Sequence, residues 1–333
     1  KAFMKKIVTL GEVMLRLSPP DHQRFVQARQ LDLEFGGSEA NVGAALAYWG
    51  MDVAHVTAFP SHELGWAAAA SLRKIGINTK FIPFSPGRLG VYFLENGAIH
   101  RSSQIIYDRA DSAFAQLDPG SLDWDEILDG ADWLHWSGIT PALSANCAAI
   151  TLEALQKANQ KGITVSGDLN YRSNLWQYGK APHEIMPALM QLTQVMIAGV
   201  RDFNQCLQKD FSKFKDVRKY AFDAFPNLTH LVKTTRDSIS SSHNIMSGGL
   251  YTASESYISK SYDIQPIVDR VGTGDAFGGG LIYGLLHMNP QDAIEFAMAA
   301  GALKHTIPGD LLLCTLDEVA EVAKGESIGK IKR

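Results

Sequence analysis

The sequence predicts an α/β fold with a mostly parallel central sheet, helices on both of its faces, and a small β-sheet lid. Short apolar strands alternate with amphipathic helices along most of the 333 residues, which is the order typical of a parallel sheet. Residues 13–35 and 82–109 break this order, because they lack a helical period and alternate like short antiparallel strands. A composition of 46% hydrophobic and 20% charged residues is that of a globular protein.

The first part of the chain supplies two strand and helix pairs. Residues 6–10 form an apolar strand, and Ser38 is the predicted N-cap of the helix that follows. Gly50 is a suitable end for that helix, since glycine tolerates the left-handed conformation found there. Residues 52–58 predict the next strand, and residues 62–75 have the apolar period of a helix.

The rest of the central layer is predicted from the same alternation. Its strands are residues 131–139, 163–169, 194–199 and 230–234. Its helices are residues 144–161, 275–288 and 291–304.

The two irregular stretches are expected to form antiparallel strands at one edge of the core, where they make a lid over a site. The lid is therefore assigned residues 13–35 and 82–109. The core is assigned residues 1–12, 36–81 and 110–333. Residues 238–262 predict a hairpin and a strand, with the turn at residues 247–249.

Charge and composition exclude several classes of function. A net charge of −4 and an isoelectric point near 6.2 imply no basic face, so nucleic acid is not an expected partner. No apolar run reaches about 18 residues, so no membrane span is expected. The chain starts without the apolar stretch of a signal peptide, which favours the cytoplasm. Its three cysteines have no metal or disulfide spacing and are expected to be buried thiols: Cys147, Cys206 and Cys314.

Residues 268–285 (VDRVGTGDAFGGGLIYGL) contain the strongest local signal for a binding site. Gly272, Thr273 and Gly274 lead into a helix that starts near Asp275, where the first N–H groups have no partner within the helix. Small residues let an anion approach these groups closely. The segment is neither a Walker A loop nor a GxGxxG motif, because Phe277 occupies the third glycine position.

Asp275 is unexpected in an anion site, because a carboxylate repels phosphate. A catalytic role explains its presence: Asp275 accepts a proton from a substrate hydroxyl that attacks a phosphoryl group, while the N–H groups stabilise the developing charge. The alternative is an acid that only stabilises the positive end of the helix dipole.

The segment VGTGDAFGGG resembles the C-terminal signature of the ribokinase-like (PfkB) sugar kinases, and EFGGSEANVGAALAYWG (residues 34–50) is similar to their N-terminal signature. The resemblance covers nearly the whole chain and implies a ribokinase-like fold. Within the family, the chain looks most like the 2-keto-3-deoxygluconate kinases. The segments that carry this likeness are LGEVMLRLSPP (10–20), YFLE (92–95), YDRADSAF (107–114), GDLNYRSNLW (167–176) and KHTIPGD (304–310).

The resemblance implies transfer of phosphate from ATP to the terminal hydroxyl of 2-keto-3-deoxygluconate, giving the 6-phosphate and ADP. It implies that Asp275 is the catalytic base and that Gly272, Thr273 and Gly274 form the anion hole. The residues expected to meet the substrate are Gly36, Gly37, Asn41, Tyr92, Tyr107, Arg109 and Arg172.

Physical chemistry independently favours an acidic substrate. Arg172 follows a core strand at its carboxyl end, where ligands of parallel sheets bind, and Arg109 ends the predicted lid. Two arginines from separate segments can clamp a carboxylate, which a neutral sugar does not have. The alternatives are ion pairs of these arginines with Asp108, Asp111 or Asp168, packing roles for the two tyrosines, and a simple turn at the glycine pair.

The nucleotide side departs from the family pattern. The family usually carries an Asn-x-x-Glu element that helps to organise Mg²⁺, but here Gly199 replaces the asparagine and Asp202 is the nearest acid. The glycine-bearing loop that usually follows is replaced by KTTRDSISSS, residues 233–242, which has no glycine. These differences leave the metal ligands unassigned.

Mg²⁺ is still expected, held mostly by phosphates and waters. Lys233 and Arg236 are candidates for nucleotide binding, with solvent-facing cations as the alternative. His305 is placed near the adenine by the resemblance, with a buried packing role as the alternative. Asp202 and Asp269 are weaker metal-side candidates, with a structural role as the alternative for Asp269. A monovalent cation near residues 269–273 is left open.

Two other functions stay open. One is a neutral-sugar kinase of the fructokinase or ribokinase type, and the other is a non-catalytic sugar-acid sensor on a kinase scaffold. The epimer of the acid is also open. A homo-oligomer that pairs through the edge of the lid sheet is expected.

Overall fold

The computed structural model describes residues 5–325. Its strands are β1 Lys6–Leu10, β2 Met14–Ser18, β3 Asp32–Gly36, β4 Asp52–Val56, β5 Phe59–Pro60, β6 Phe84–Ser85, β7 Val91–Glu95, β8 Gln104–Asp108, β9 Trp133–Ser137, β10 Thr164–Asp168, β11 Val195–Ile197, β12 His230–Ser240, β13 His243–Tyr251, β14 Ser256–Ile258 and β15 Tyr262–Ile264. Its α-helices are α1 Ser38–Tyr48, α2 Glu63–Lys74, α3 Trp124–Ile127, α4 Ala145–Gln160, α5 Pro182–Gln191, α6 Val200–Leu207, α7 Phe214–Ala224, α8 Thr273–His287, α9 Pro290–Lys304 and α10 Leu316–Lys324.

The central sheet has nine strands, in the order β14-β13-β12-β11-β10-β9-β1-β4, with β15 also paired to β13. The run from β12 to β4 is entirely parallel, whereas β13, β14 and β15 are antiparallel additions at one edge. The predicted α/β fold with a mostly parallel sheet is confirmed. Parallel strands place their carboxyl ends along one edge, which is where the site is expected.

Apolar side chains on both faces of the sheet form two cores. Ile7 packs in the core that contains Phe277 of α8, and its neighbour Val8 packs in the core that contains Phe203 of α6. Successive residues of a strand point to opposite faces, so one strand serves both cores. Each large side chain buried in this way contributes about 1.5–3 kcal/mol.

A separate four-stranded sheet, which we call the lid sheet, has the order β3-β2-β7-β8. The prediction of purely antiparallel strands is wrong at its centre, because β2 and β7 run parallel. The chain passes through α1, β4 and α2 between these two strands, and such a long crossover permits parallel pairing. Within residues 82–109, β6 pairs instead with β5 beside the core.

Two local predictions are corrected. Gly37, not Ser38, is the N-cap of α1, and this N-cap makes no side-chain hydrogen bond to the first turn of the helix. The hairpin between β12 and β13 turns at residues 241–242, so the predicted turn at 247–249 lies inside β13. A Cβ on Gly248 would come within 2.8 Å of Met298 of α9, so this glycine allows helix and strand to pack closely.

Helices α5, α6, α7 and α10 are not predicted from the sequence. Each has only 8 to 11 residues, and α10 fully buries a single side chain, Val319. Their apolar residues do recur at helical spacing, as Leu316, Val319, Ala320 and Ala323 do in α10, so the sequence carried a signal that the prediction missed in these short segments. The three cysteines are buried and unpaired, as predicted. None of the helices within residues 5–325 has the length and apolar character that crossing a membrane requires.

Candidate active site

A cleft of about 660 Å³ opens where the carboxyl ends of the central strands meet the lid sheet and the start of α8. It is lined by every predicted catalytic and substrate-side residue and by one of the three nucleotide-side candidates. These residues are Gly36, Gly37, Asn41, Tyr92, Tyr107, Arg109, Arg172, Arg236, Gly272, Thr273, Gly274 and Asp275. The position agrees with the rule that ligands of parallel sheets bind beyond the carboxyl ends of the strands.

The start of α8 requires glycine at one position and leaves space at another. Gly272 has a φ of +78° and is the N-cap of the helix, and a Cβ there would lie 1.9 Å from the carbonyl oxygen of Asp310. Gly274 is exposed, and a Cβ there would meet nothing within 4 Å. The first N–H groups of α8 therefore face an open cleft, as an anion-binding helix terminus does.

The Asp275 carboxylate is held by two side chains of α1. Asn41 Nδ2 donates to Asp275 Oδ2 at 2.7 Å, and Ser38 Oγ donates to Asp275 Oδ1 at 3.0 Å. Burial raises the pKa of Asp275 to about 6, and these two hydrogen bonds oppose the rise because they favour the ionised form. The group is thus ionised at neutral pH with a pKa close enough to neutrality to accept a proton.

The glycine pair before α1 is imposed by close packing. A Cβ on Gly37 would lie 1.9 Å from the carbonyl oxygen of Glu12, and a Cβ on Gly36 would lie 2.4 Å from Asp310 Oδ2. Any larger residue would push α1, with its Asn41 and Ser38, away from Asp275. The pair therefore does more than make a turn.

The predicted substrate residues of the lid sheet are already paired with protein groups. Tyr92 is buried, and its hydroxyl donates to Asp310 Oδ2 at 2.5 Å. Arg109 Nε donates to Glu12 Oε2 at 2.8 Å, and the Arg109 guanidinium lies 5.8 Å from the centre of the Tyr107 ring. The acid that holds Arg109 is thus Glu12, and none of the three acids considered from the sequence.

Asp108, one of those three acids, pairs instead with Arg88 at 2.6 Å. Arg172 differs from Arg109, because it is exposed and its side chain makes no hydrogen bond or ion pair within residues 5–325. Burial, Asp202 and Asp275 raise the pKa of Asp168 to about 7, and Arg172 opposes this rise from a longer distance. The guanidinium of Arg172 is therefore available to a ligand.

A smaller cavity of about 350 Å³ adjoins the cleft and shares Arg172, Arg236 and Gly274 with it. Lys233 lines only this smaller cavity, and its ammonium lies 4.5 Å from the centre of the Phe214 ring. Arg236 is exposed and has no hydrogen-bond partner in the described part of the chain. This side of the site carries positive charge that the protein itself does not neutralise.

Asp202 is occupied by backbone groups. Its Oδ2 accepts from Gly199 N at 2.7 Å and its Oδ1 accepts from Tyr171 N at 3.1 Å, so it caps α6. Between residues 5 and 325, no group of three or more His, Cys, Asp or Glu side chains is arranged to hold a metal ion. These residues fit an Mg²⁺ ion that is bound mainly by nucleotide phosphates and waters, and do not fit one held by a protein cage.

Two further candidates are buried, and one of them, Asp269, lines the cleft. His305 lines neither cavity; it is buried, its Nδ1 donates to the Gly301 carbonyl at 2.8 Å, and burial lowers its pKa to about 4. Asp269 is also buried and accepts from Arg16 Nη2 at 2.6 Å, which is a structural contact.

Sequence reasoning missed the roles of Ser38, Glu12 and Asp310. Glu12 and Asp310 lie in segments that carry the family resemblance, and Glu12 comes two residues after the carboxyl end of β1. That position could have identified it. Nothing local identifies Asp310, since its partners are 218 and 294 residues away in sequence.

Comparisons with known proteins agree with this geometry. The sequence matches the pfkB family of carbohydrate kinases over residues 4–312. It is 35% identical to a 2-dehydro-3-deoxygalactonokinase of Haloferax volcanii, over 97% of this chain and 98% of that protein. It is 25% identical to a 2-dehydro-3-deoxygluconokinase of Bacillus subtilis, over 91% and 90% of the two chains. The crystal structure of a Thermotoga maritima 2-dehydro-3-deoxygluconokinase has a TM-score of 0.91 and 43% identity, and covers 97% of this chain and 99% of that one.

Proposed function

The chain belongs to the pfkB family of carbohydrate kinases, and on that premise we propose that it phosphorylates the terminal hydroxyl of 2-keto-3-deoxygluconate. The products are the 6-phosphate and ADP. The observation that carries the proposal is the Asp275 carboxylate, which Asn41 and Ser38 hold at the open N-terminus of α8. A base beside an anion-binding helix terminus suits transfer of a phosphoryl group to an alcohol.

In the proposed reaction, the acceptor oxygen forms a bond to the γ-phosphorus of ATP while the bond from that phosphorus to the bridging oxygen breaks. The hydroxyl proton passes to Asp275. The N–H groups of residues 272–275 stabilise the negative charge on the transferring group. Mg²⁺ that arrives with ATP supplies neutralisation of the phosphate oxygens. The monovalent cation near residues 269–273 stays a prediction.

Arg172 supports an acidic acceptor, and groups near it suit an acceptor that carries hydroxyls. Arg172 offers an unpaired guanidinium to the cleft, and carboxylates bind guanidinium groups in two parallel hydrogen bonds. Tyr107 and Arg109 also line the cleft, on and beside β8 of the lid sheet, where Arg109 is paired with Glu12. Glu12 Oε1 is buried without a hydrogen-bond partner in the described residues, so a substrate hydroxyl could satisfy it.

The lid sheet is proposed to close over the acceptor and exclude water, which would otherwise accept the phosphoryl group. We keep the division into a lid of residues 13–35 and 82–109 and a core of the remaining residues. We also propose a homo-oligomer through the lid sheet, where Leu33 and Ile106 are exposed by 52% and 57%.

A coupled assay of ADP release tests the function. The panel contains 2-keto-3-deoxygluconate, its galactonate epimer, fructose and ribose, each with ATP and Mg²⁺. We expect turnover with the keto-deoxy acids, the gluconate form being the better acceptor, and little with the neutral sugars. Turnover confined to fructose or ribose would establish a neutral-sugar kinase. Binding of the acid without ADP release would establish a sensor.

A further inference from the structure

Arg16 is a buried charge that the reaction itself does not use. It lies in the middle of β2 of the lid sheet, its side chain is 4% exposed, and it does not line the cleft. A buried guanidinium is strongly destabilising unless it is paired and hydrogen-bonded. Its partners therefore indicate what it does.

The guanidinium joins two separate loops of the core. Arg16 Nη2 donates to Asp269 Oδ2 at 2.6 Å, and Arg16 Nη1 donates to Asp310 Oδ1 at 2.6 Å. The third nitrogen, Nε, donates to Ser18 Oγ on the same strand at 2.9 Å. The planar fork of arginine can hold two carboxylates in fixed positions, which an ammonium group cannot do.

The first loop leads directly into the anion site. Asp269 Oδ1 accepts from Val271 N at 2.9 Å, and Val271 is followed by Gly272, the N-cap of α8. Asp269 Oδ2 also accepts from Gly309 N at 3.1 Å, which ties the two loops together. The carboxylate that Arg16 holds thus fixes the backbone just before α8.

The second loop connects the anion site to the acceptor wall. The carbonyl oxygen of Asp310 lies against Gly272 so closely that a Cβ on this glycine would be 1.9 Å away. The Asp310 carboxylate accepts the Tyr92 hydroxyl through its other oxygen, Oδ2. Arg16 is therefore linked to Gly272 through a hydrogen bond to Asp310 and the packing of Asp310 against this glycine. It is linked to Tyr92, a predicted acceptor residue, through two hydrogen bonds that meet at Asp310.

The surrounding charges indicate that this cluster fixes the positions of its residues and does not mainly stabilise the fold. Lys304 is fully buried, and its ammonium donates to the Ile307 carbonyl at 3.0 Å. Glu34 Oε2 lies 3.7 Å from Arg16 Nη1. Two cations thus share three carboxylates in a buried space, and such networks are often no more stable than apolar residues of similar volume.

We propose that Arg16 is a positioning residue that fixes the lid sheet to the N-terminus of α8, so that acceptor, Asp275 and anion-site amides share one geometry. The inference rests on the proposed kinase function. It predicts that Arg16 affects the rate of transfer and the coupling of ATP cleavage to transfer. Because Arg16 does not line the cleft and reaches the acceptor only through Asp310 and Tyr92, its effect on the affinity for the acceptor is smaller than its effect on transfer.

The test compares Arg16→Met and Arg16→Lys with Arg88→Met. Arg88 also lies in the lid region, but its pair with Asp108 is exposed, so it serves as the matched control. The assay measures ADP and phosphorylated acid separately. We expect Arg16→Met to lower kcat by about 100-fold, as misplaced reacting groups do, to change KM for the acid much less, and to release more ADP than phosphorylated acid. Arg16→Lys should not rescue coupling.

Asp269→Asn keeps the shape of the side chain but removes the negative charge that pairs with Arg16 Nη2. This variant tests the positioning role if Arg16→Met does not fold. The same loss of coupling is expected, to a smaller degree. Wild-type coupling in a folded Arg16→Met, or an effect on KM alone, would overturn the inference. Unfolding of both variants with an intact Arg88→Met would also overturn it, in favour of a purely structural role. Failure of the proposed function itself would be visible in the wild type, as absence of turnover with the acid.

Discussion

The acceptor half and the nucleotide half of the cleft are built differently. In the acceptor half, Asp275, Tyr92 and Arg109 are each hydrogen-bonded to another side chain before any ligand arrives. In the nucleotide half, the exposed Arg236 has no such partner among residues 5–325, and the acid that lies there, Asp202, is occupied in capping a helix. One half is fixed by the protein, and the other leaves its positive charge for the ligand to neutralise.

This difference follows from what each ligand brings. ATP carries its own charge and its own Mg²⁺, so a surface with unpaired cations is enough to bind it. A keto-deoxy sugar acid brings hydroxyls, a keto group and one carboxylate but no base, so the protein must supply the base and hold it in place. Arg172 is the exception in the acceptor half, because it is unpaired, and it lines both cavities.

The largest effect is expected from Asp275→Asn. Loss of the base should lower kcat by about 100- to 10,000-fold while ATP still binds. The matched control is Asp317→Asn, because Asp317 is an exposed acid in the first turn of α10, as Asp275 is in the first turn of α8. If Asp275 only stabilised its helix dipole, the two variants would show similar small losses of stability and full turnover.

Arg172→Met tests whether this arginine, whose side chain has no partner among residues 5–325, binds the carboxylate. Loss of a charge-assisted hydrogen bond should lower kcat/KM for the keto-deoxy acid by about 10- to 100-fold. Any residual activity with neutral sugars should not change. Arg73→Met, on the exposed face of α2, is the control. Equal losses with acidic and neutral acceptors would rule out recognition of the carboxylate.

Arg236→Met examines the nucleotide half. Because Arg236 faces the cleft without a protein partner, its loss should raise KM for ATP by about 10-fold and leave KM for the acid unchanged. The neighbouring Thr235 does not line either cavity, so Thr235→Ala is the control. An unchanged KM for ATP would show that Arg236 only faces solvent, which is the alternative that the sequence leaves open.

The sequence predicts which residues line the acceptor half of the cleft better than those of the nucleotide half, for physical reasons. The glycine-rich start of a helix is a local feature that predicts Asp275, whereas Asn41 is predicted only from the family resemblance. Ser38 was misread as a cap, because its true partner is 237 residues away. His305 has the residue type of a ligand but is buried against a backbone carbonyl, and only the packing of α9 decides that.

Ser38→Ala distinguishes an N-cap role of Ser38 from its role as a hydrogen-bond donor to Asp275, and it is expected to have the smallest effect. Transfer needs the ionised Asp275, whose pKa is about 6, so kcat should fall as the pH drops through that value. The Ser38 hydroxyl donates to the ionised form and lowers this pKa. Its removal should move the acidic limb of the kcat profile to higher pH by about one unit or less, and leave kcat near pH 8 unchanged.

Ser144→Ala is the matched control for Ser38→Ala, because Ser144 is a true N-cap whose Oγ accepts from Cys147 N at 3.1 Å at the start of α4. This variant should lose about 0.5–2 kcal/mol of stability without any shift of the pH profile. Urea unfolding and pH-rate profiles of both variants check the pair. If Ser38→Ala behaved like Ser144→Ala, the serine would be a cap after all, and the acceptor half would be less fixed around its base than the geometry implies.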